Sequence, residues 1–206
     1  MTLRVSALDA RVSITVPSHV PMRDIEAFVL EKEAWLQDKV SAMPEPVPVT
    51  FYTAIPIHGM LHDIVPFSGN RMEISKNHLY IPEKIKLPNA LTVAFLKILA
   101  RDQIIQEADF YALKLGLPYA KISLRDVKSR WGSCNDQGAM MFSWRLIMAP
   151  PKVLTYVVAH EVAHLRHMNH SNQFWNELRS LLGEYREEKQ WLRENGATLH
   201  KYKFKD

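Results

Sequence analysis

The chain has 206 residues, 47% of them hydrophobic and 23% charged, with seven Gly and twelve Pro. That balance is too apolar for a disordered chain and too varied for a low-complexity or collagen-like one, and it allows a globular protein of one domain with up to two lobes. Twenty-six basic against 22 acidic residues leave a net charge of +4 that is spread along the chain, so no nucleic-acid partner is expected. The longest mostly apolar stretch, Leu91 to Ala100, is about half of what a membrane-spanning helix needs. No secretory signal is read at the N-terminus, and the lone Cys134 excludes an internal disulfide; both fit a cytoplasmic setting.

Leu3, Val5 and Ala7, then Val12, Ile14 and Val16, alternate with polar residues, the period of a half-buried strand pair ended by Pro17 and Pro21. From Met22 to about Met43, Ile25, Phe28, Val29, Leu36 and Val40 recur at helical spacing. Residues 44–49, PEPVPV, cannot sustain a helix and read as a connector. Residues 50–82 read as short strands, with turns at His58-Gly59, Ser68-Gly69-Asn70 and Lys76-Asn77.

Asn89 to Leu115 carries the longest helical pattern. Its expected apolar stripe is Leu91, Ala94, Phe95, Ile98, Leu99, Ile105 and Ala112, with a stop at Gly116 and Pro118. Lys121 to Val127 and Ala139 to Met148 read as two strands joined by the loop SRWGSCNDQG. Pro150-Pro151 opens another helix, since first-turn amides lack partners anyway, and a last helix is expected from about Ser171 to Asn195, ended by Gly196. The tail of Lys201, Lys203 and Lys205, interleaved with Tyr202 and Phe204, reads as a solvated segment. The predicted class is α+β: a β-rich lobe with one helix over residues 1–88, then a region over 89–206 in which helices back a small sheet.

Chemistry concentrates in residues 156–175, YVVAHEVAHLRHMNHSNQFW, which hold four of the nine histidines. His160, Glu161 and His164 make H-E-x-x-H. Four residues apart on a helix, both imidazoles share a face and can converge on one ion, while Glu161 beside them can act on a metal-activated water. A third ligand is required. His167 would stand roughly 10 Å from His160 along a straight helix, too far for bonds of about 2 Å to one ion. The chain must turn back first, and Asn169 is a credible helix-ending residue, so His170 is the preferred third ligand. A carboxylate of the last helix, Glu177 or Glu184, is the competitor.

The loop between the two strands is the second candidate region. Arg130, Gly132, Ser133 and Cys134 could line the cleft and hold a substrate backbone; equally, Trp131 could pack under the sheet and Gly132 serve a tight turn. Cys134 reads either as a small packing residue or as a further zinc ligand that holds the protein latent. Arg145, Tyr156, Asn169, Tyr185 and Tyr202 are further polar candidates. Phe174 and Trp175 read as anchors between the last helix and the metal-bearing one. His58, His62 and His78 show no ligand spacing and read as ordinary histidines.

The segments KSRWGSCNDQG (128–138), FSWRLIMAPP (142–151) and YVVAHEVAHLRHMNHSNQFW (156–175) resemble the YgjP-like family of zinc metallopeptidases, relatives of the SprT-like and WLM proteases. The likeness is strong over about residues 89–192 and looser at RVSITVP and around Trp35-Leu36. It implies a zincin-like fold with a minimal catalytic core. It also implies one zinc ion per chain on His160, His164 and His170, with Glu161 as catalytic base. The same histidine spacing occurs in metzincins, but His167 stands where those place Gly, so the reversal is expected at Met168-Asn169 instead. The resulting expectation is a zinc peptidase acting on a peptide or unstructured protein, with a zinc-holding partner-binding module of little turnover as the alternative. A nucleic-acid-associated protease ranks below both.

Overall fold

The alternating N-terminal segments pair as an antiparallel ribbon in a computed structural model of the protein. β1 (Thr2–Val5) runs against β2 (Val12–Thr15), with Leu3 opposite Ile14. The structure describes residues 1–5 and 11–204; Ala7 and Lys205, named above, lie outside the described residues. The helix expected over 22–43 is two helices, α1 (Met22–Glu31) and α2 (Glu33–Ser41), separated where Lys32 takes φ −97° and ψ 6°. No residue of either is buried, so no packing enforces one straight rod. These elements make up a first compact unit, Met1–Pro46.

The second unit is Val47–Asp206, so the division falls inside the Pro-rich connector rather than at residue 88. The reason lies in the core. Ile55, Ile57, Ile64, Leu79 and Ile81 are at most 1% exposed and join one apolar cluster with residues of the later helices. The unit begins with β3 (Val47–Pro48). β4 (Ala54–Ile57), β5 (Met60–Phe67), β6 (Glu73–Ser75) and β7 (His78–Pro82) then form a sheet in the order β4-β5-β7-β6, with β5 and β7 parallel. The turns at His58-Gly59 and Lys76 take positive φ, as the short connections require.

α3 (Pro88–Leu115) starts on Pro and stops at Gly116, whose φ of 76° is left-handed. Its buried face runs through Thr92, Leu96, Ala100, Ile104, Ala108 and Ala112. That differs from the expected stripe, of which Ile98 is 58% exposed and Leu91, Phe95 and Leu99 lie at the core margin. The helix is apolar on most sides, so periodicity does not single out a face. Ala100, Ala108 and Ala112 lie on the buried face, whereas Ala90 and Ala94 are exposed.

β8 (Lys121–Arg125), β9 (Gly132–Cys134) and β10 (Ala139–Ser143) form a sheet in the order β8-β10-β9, so the expected loop contains a third strand antiparallel to β10. The second strand also ends early. Residues Trp144–Met148 make a 3-10 turn with all five buried, whereas a pleated strand would point alternate ones the other way. α4 (Pro151–Ala163) follows. The last helix is two, α5 (Asn172–Leu182) and α6 (Arg186–Asn195), broken at Gly183 with φ 86°. A 3-10 turn (Gly196–His200) leads to β11 (Tyr202–Lys203), which pairs in parallel with β3. The tail is therefore not solvated: Tyr202 and Phe204 are buried, and the Phe204 ring packs edge-on to Trp144 at 5.4 Å. The class is mixed helix and sheet, and among the described residues no helix is long and apolar enough to cross a membrane.

Candidate metal centre

α4 is apolar on nearly every side, and Val157, Val158, Val162 and Ala163 sink it into the core. His160 lies in its last turn and His164 caps it in near-helical geometry, so the two rings stand one turn apart, 5.0 Å between centroids. The amides of Leu165, Arg166 and His167 bond back to the carbonyls of Val162 and Ala163. These bonds carry the last turn of the helix through His167, and the chain then bends at Met168 and Asn169 as expected, although Asn169 does not adopt the left-handed backbone expected of it. Its side chain instead accepts from the Ser171 amide, and the Ser171 hydroxyl caps α5 by accepting from the Phe174 amide at 3.5 Å.

This hairpin delivers His170. Its Nε2 lies 3.0 Å from His160 Nε2, and His160, His164 and His170 each offer a ligand atom within 4.8 Å of the others. Phe174 is fully buried beneath them, stacked on His164 at 4.5 Å and edge-on to His160 and His170. Trp175 Nε1–H donates to the His170 carbonyl at 3.1 Å and fixes its backbone.

The protonation pattern suits a cation. His164 Nδ1 sits 2.9 Å from the His167 carbonyl, which can only accept, so the proton is on Nδ1 and Nε2 carries a lone pair. Burial and the neighbouring rings of His164 and His170 push the His160 pKa down to about 3. Burial likewise lowers that of His164, against the hydrogen bond to His167. Neutral imidazoles are the ligand form. His160 Nδ1 is buried without a partner and its Nε2 lies 3.0 Å from His170 Nε2, and among the described residues the group of possible ligands at this point is made of the three imidazoles. Such a donor set fits zinc or another divalent ion that accepts imidazole.

Glu161 is 6% exposed, and burial raises its pKa to about 7 against the opposing charge of Arg130. β9 presses on it: a Cβ on Gly132 would lie 2.6 Å from Glu161 Cγ and Oε1. Only Gly fits. Cys134 hydrogen-bonds the Asn135 carbonyl and stands outside the histidine group, its thiol pushed up to about 11 by burial and by Glu161. Trp131 packs on His200 and Gly196.

The remaining candidates scatter. Glu177 binds Arg166 at 2.9 Å and lies 3.6 Å from His167, while Glu184 pairs with Arg179 and Arg186, so neither carboxylate joins the three histidines. Arg145 is bound to Asp126 and to the carbonyls of Leu199 and Tyr202. Tyr156 stacks on Tyr185 at 5.4 Å and meets His160 edge-on at 6.0 Å. The His167 carbonyl escaped the sequence reading because a backbone acceptor has no residue-type signature.

A model of the YgjP-like metallopeptidase domain matches residues 1–195, through both units to the end of α6. The chain belongs to the YgjP-like metallopeptidase family. No curated protein matches this YgjP-like chain. Among solved structures it is similar to the metallopeptidase zymogen of Pyrococcus abyssi abylysin, at 19% identity. That similarity covers 47% of this chain and 92% of that one, with a TM-score of 0.37.

Proposed function

We propose that this YgjP-like protein is a zinc-dependent peptidase of the zincin-like, H-E-x-x-H kind, with His160, His164 and His170 holding one zinc ion and Glu161 as general base. One observation carries the reading: three imidazoles, two of them with depressed pKa, converge with no acidic or thiol group among them. Three nitrogen ligands leave a coordination position open, the pattern of catalytic rather than structural zinc. A closed, non-catalytic site would need Cys134 as the fourth ligand, and that thiol points elsewhere.

Zinc held there would supply Lewis acidity to a peptide carbonyl and to water. The chain's own residues supply the proton handling and the positioning. Glu161, buried beside the histidines, can take a proton from the attacking water and pass it to the departing amine. Gly132 confines the Glu161 side chain, and Arg130 lends positive charge that keeps its carboxylate available. β9 ends its sheet, so its outer side can accept an extended peptide or unstructured protein segment as an added strand along Gly132, Ser133 and Cys134. His170 is exposed and leaves the centre open to solvent.

Glu161→Gln tests the assignment. Bound zinc should remain at one ion per chain by mass spectrometry of the metal, while cleavage of a denatured protein drops about 100- to 10,000-fold. Undiminished cleavage would remove Glu161 from the role, and a wild-type protein that takes up no zinc would end the reading.

A further inference from the structure

A cavity of about 360 Å³, within the size range of small-ligand sites, shares no lining residue with the histidine centre. Four cationic side chains, Lys97, Lys128, Arg145 and Lys203, line it together with one carboxylate, Asp126. Arg145 occupies both oxygens of that carboxylate, Nε to Oδ1 at 2.7 Å and Nη2 to Oδ2 at 3.1 Å. Lys97 and Lys203 have no carboxylate at ion-pair distance among the described residues. Lys203 gives one N–H to the His200 carbonyl at 2.9 Å and keeps two.

His200 is the decisive wall. It is 5% exposed, yet among the described residues its ring nitrogens make no hydrogen bond; its ring contact is with Trp131 at 5.4 Å. Burial, then the charges of Arg145, Lys128 and Lys203, hold its pKa down to about 4 against Asp126, so at neutral pH it presents one N–H and one lone pair. Its ring nitrogens are not sealed from solvent, unlike His160 Nδ1, and the ring borders a ligand-sized space lined by ammonium groups. Among the described residues, the one carboxylate of the lining, Asp126, is already taken up by Arg145. The buried rings of Trp144 and Phe204 give it an apolar floor.

We propose that this cavity binds a small multivalent anion whose phosphate or carboxylate oxygens are taken by Lys97, Lys203 and the His200 ring. The site is independent of the peptidase reading, since none of its residues belongs to the histidine centre.

Calorimetric titration of the full-length protein with inorganic phosphate, and separately with succinate, tests it. Both probes are weak chelators and leave a bound metal in place. Saturable one-to-one binding of either is expected, weakened about tenfold or more in Lys97→Glu/Lys203→Glu. Lys201→Glu reverses one lysine charge on a residue outside the lining and should bind as wild type, whereas Lys97→Glu and Lys203→Glu should each weaken binding singly. Binding of phosphate alone would assign the phosphate class, and of succinate alone the carboxylate class. His200→Gln, which keeps the lysines, should also weaken binding, and it carries the test if the lysine pair fails to fold by circular dichroism. No saturable binding of either probe, or equal losses in Lys201→Glu and the lysine pair, would overturn the proposal.

Discussion

Arg145 and His160 are both polar side chains sunk into the larger unit, and they differ in what they leave unmade. Arg145 spans Asp126 and the carbonyls of Leu199 and Tyr202 with four hydrogen bonds, and its guanidinium lies over Trp144 at 4.7 Å. His160 has one nitrogen buried without a partner and the other turned toward a second imidazole at 3.0 Å. The arginine cluster is complete within the chain. The histidine cluster leaves ring-nitrogen capacity over and could hold a metal ion. Unmet hydrogen-bonding capacity in a well-packed core is the mark of a site, and satisfied capacity the mark of a brace.

Substitutions should separate the two. The largest effect is expected at the centre: His164→Ala should abolish stoichiometric metal after dialysis and reduce proteolysis to background, while the urea midpoint shows the fold intact. Retained metal would break the contrast. Arg145→Leu should do the reverse. It leaves two buried carbonyls and Asp126 without their partner, a loss of about 3 kcal/mol in urea unfolding, with metal content of the folded protein unchanged. A stable Arg145→Leu protein with weakened metal binding would assign the arginine to the site. Gly132→Ala is gentler, since the Glu161 side chain can swing aside. We expect kcat to fall about 10- to 100-fold with KM and zinc uptake preserved, and an unaltered kcat would show that Glu161 tolerates the shift.

The smallest effect concerns pH. The folded protein holds His200 near 4, below its ordinary 6.5, chiefly by burial. Between those values the unfolded chain binds the extra proton. Stability from this group is therefore full above 6.5, declines as pH falls toward 4, and drops no further below. His200→Gln should flatten that part of the urea-midpoint profile; parallel wild-type and variant profiles would deny His200 the effect.

Local signals were legible in the sequence and long-range ones were not. The spacing of His160 and His164, the stop at Gly116 and the start at Pro151 depend only on residues within a turn or two. The meeting of His170 with them was anticipated from the need for a reversal, which falls at Met168-Asn169 as expected but uses no left-handed Asn169. The buried face of α3 was misjudged because the helix is apolar on most sides and its apolar residues fit more than one stripe. β9 was hidden in a segment of turn-forming residues, and only its pairing with Met140–Phe142 makes it a strand. Gly132 was named without its reason, the Glu161 side chain that leaves no room for a Cβ.

The parallel pairing of β3 with β11 joins the opening of the larger unit to its last described residues. During synthesis, the nascent chain releases the whole histidine hairpin before Leu199 and Tyr202 emerge to receive Arg145. A half-made polypeptide would thus already contain its metal ligands while one buried cation still awaited its acceptors. Ribosomal stalling in the final stretch should leave a species able to capture an ion yet open to degradation, and closure of the unit should be the slow event in its biogenesis.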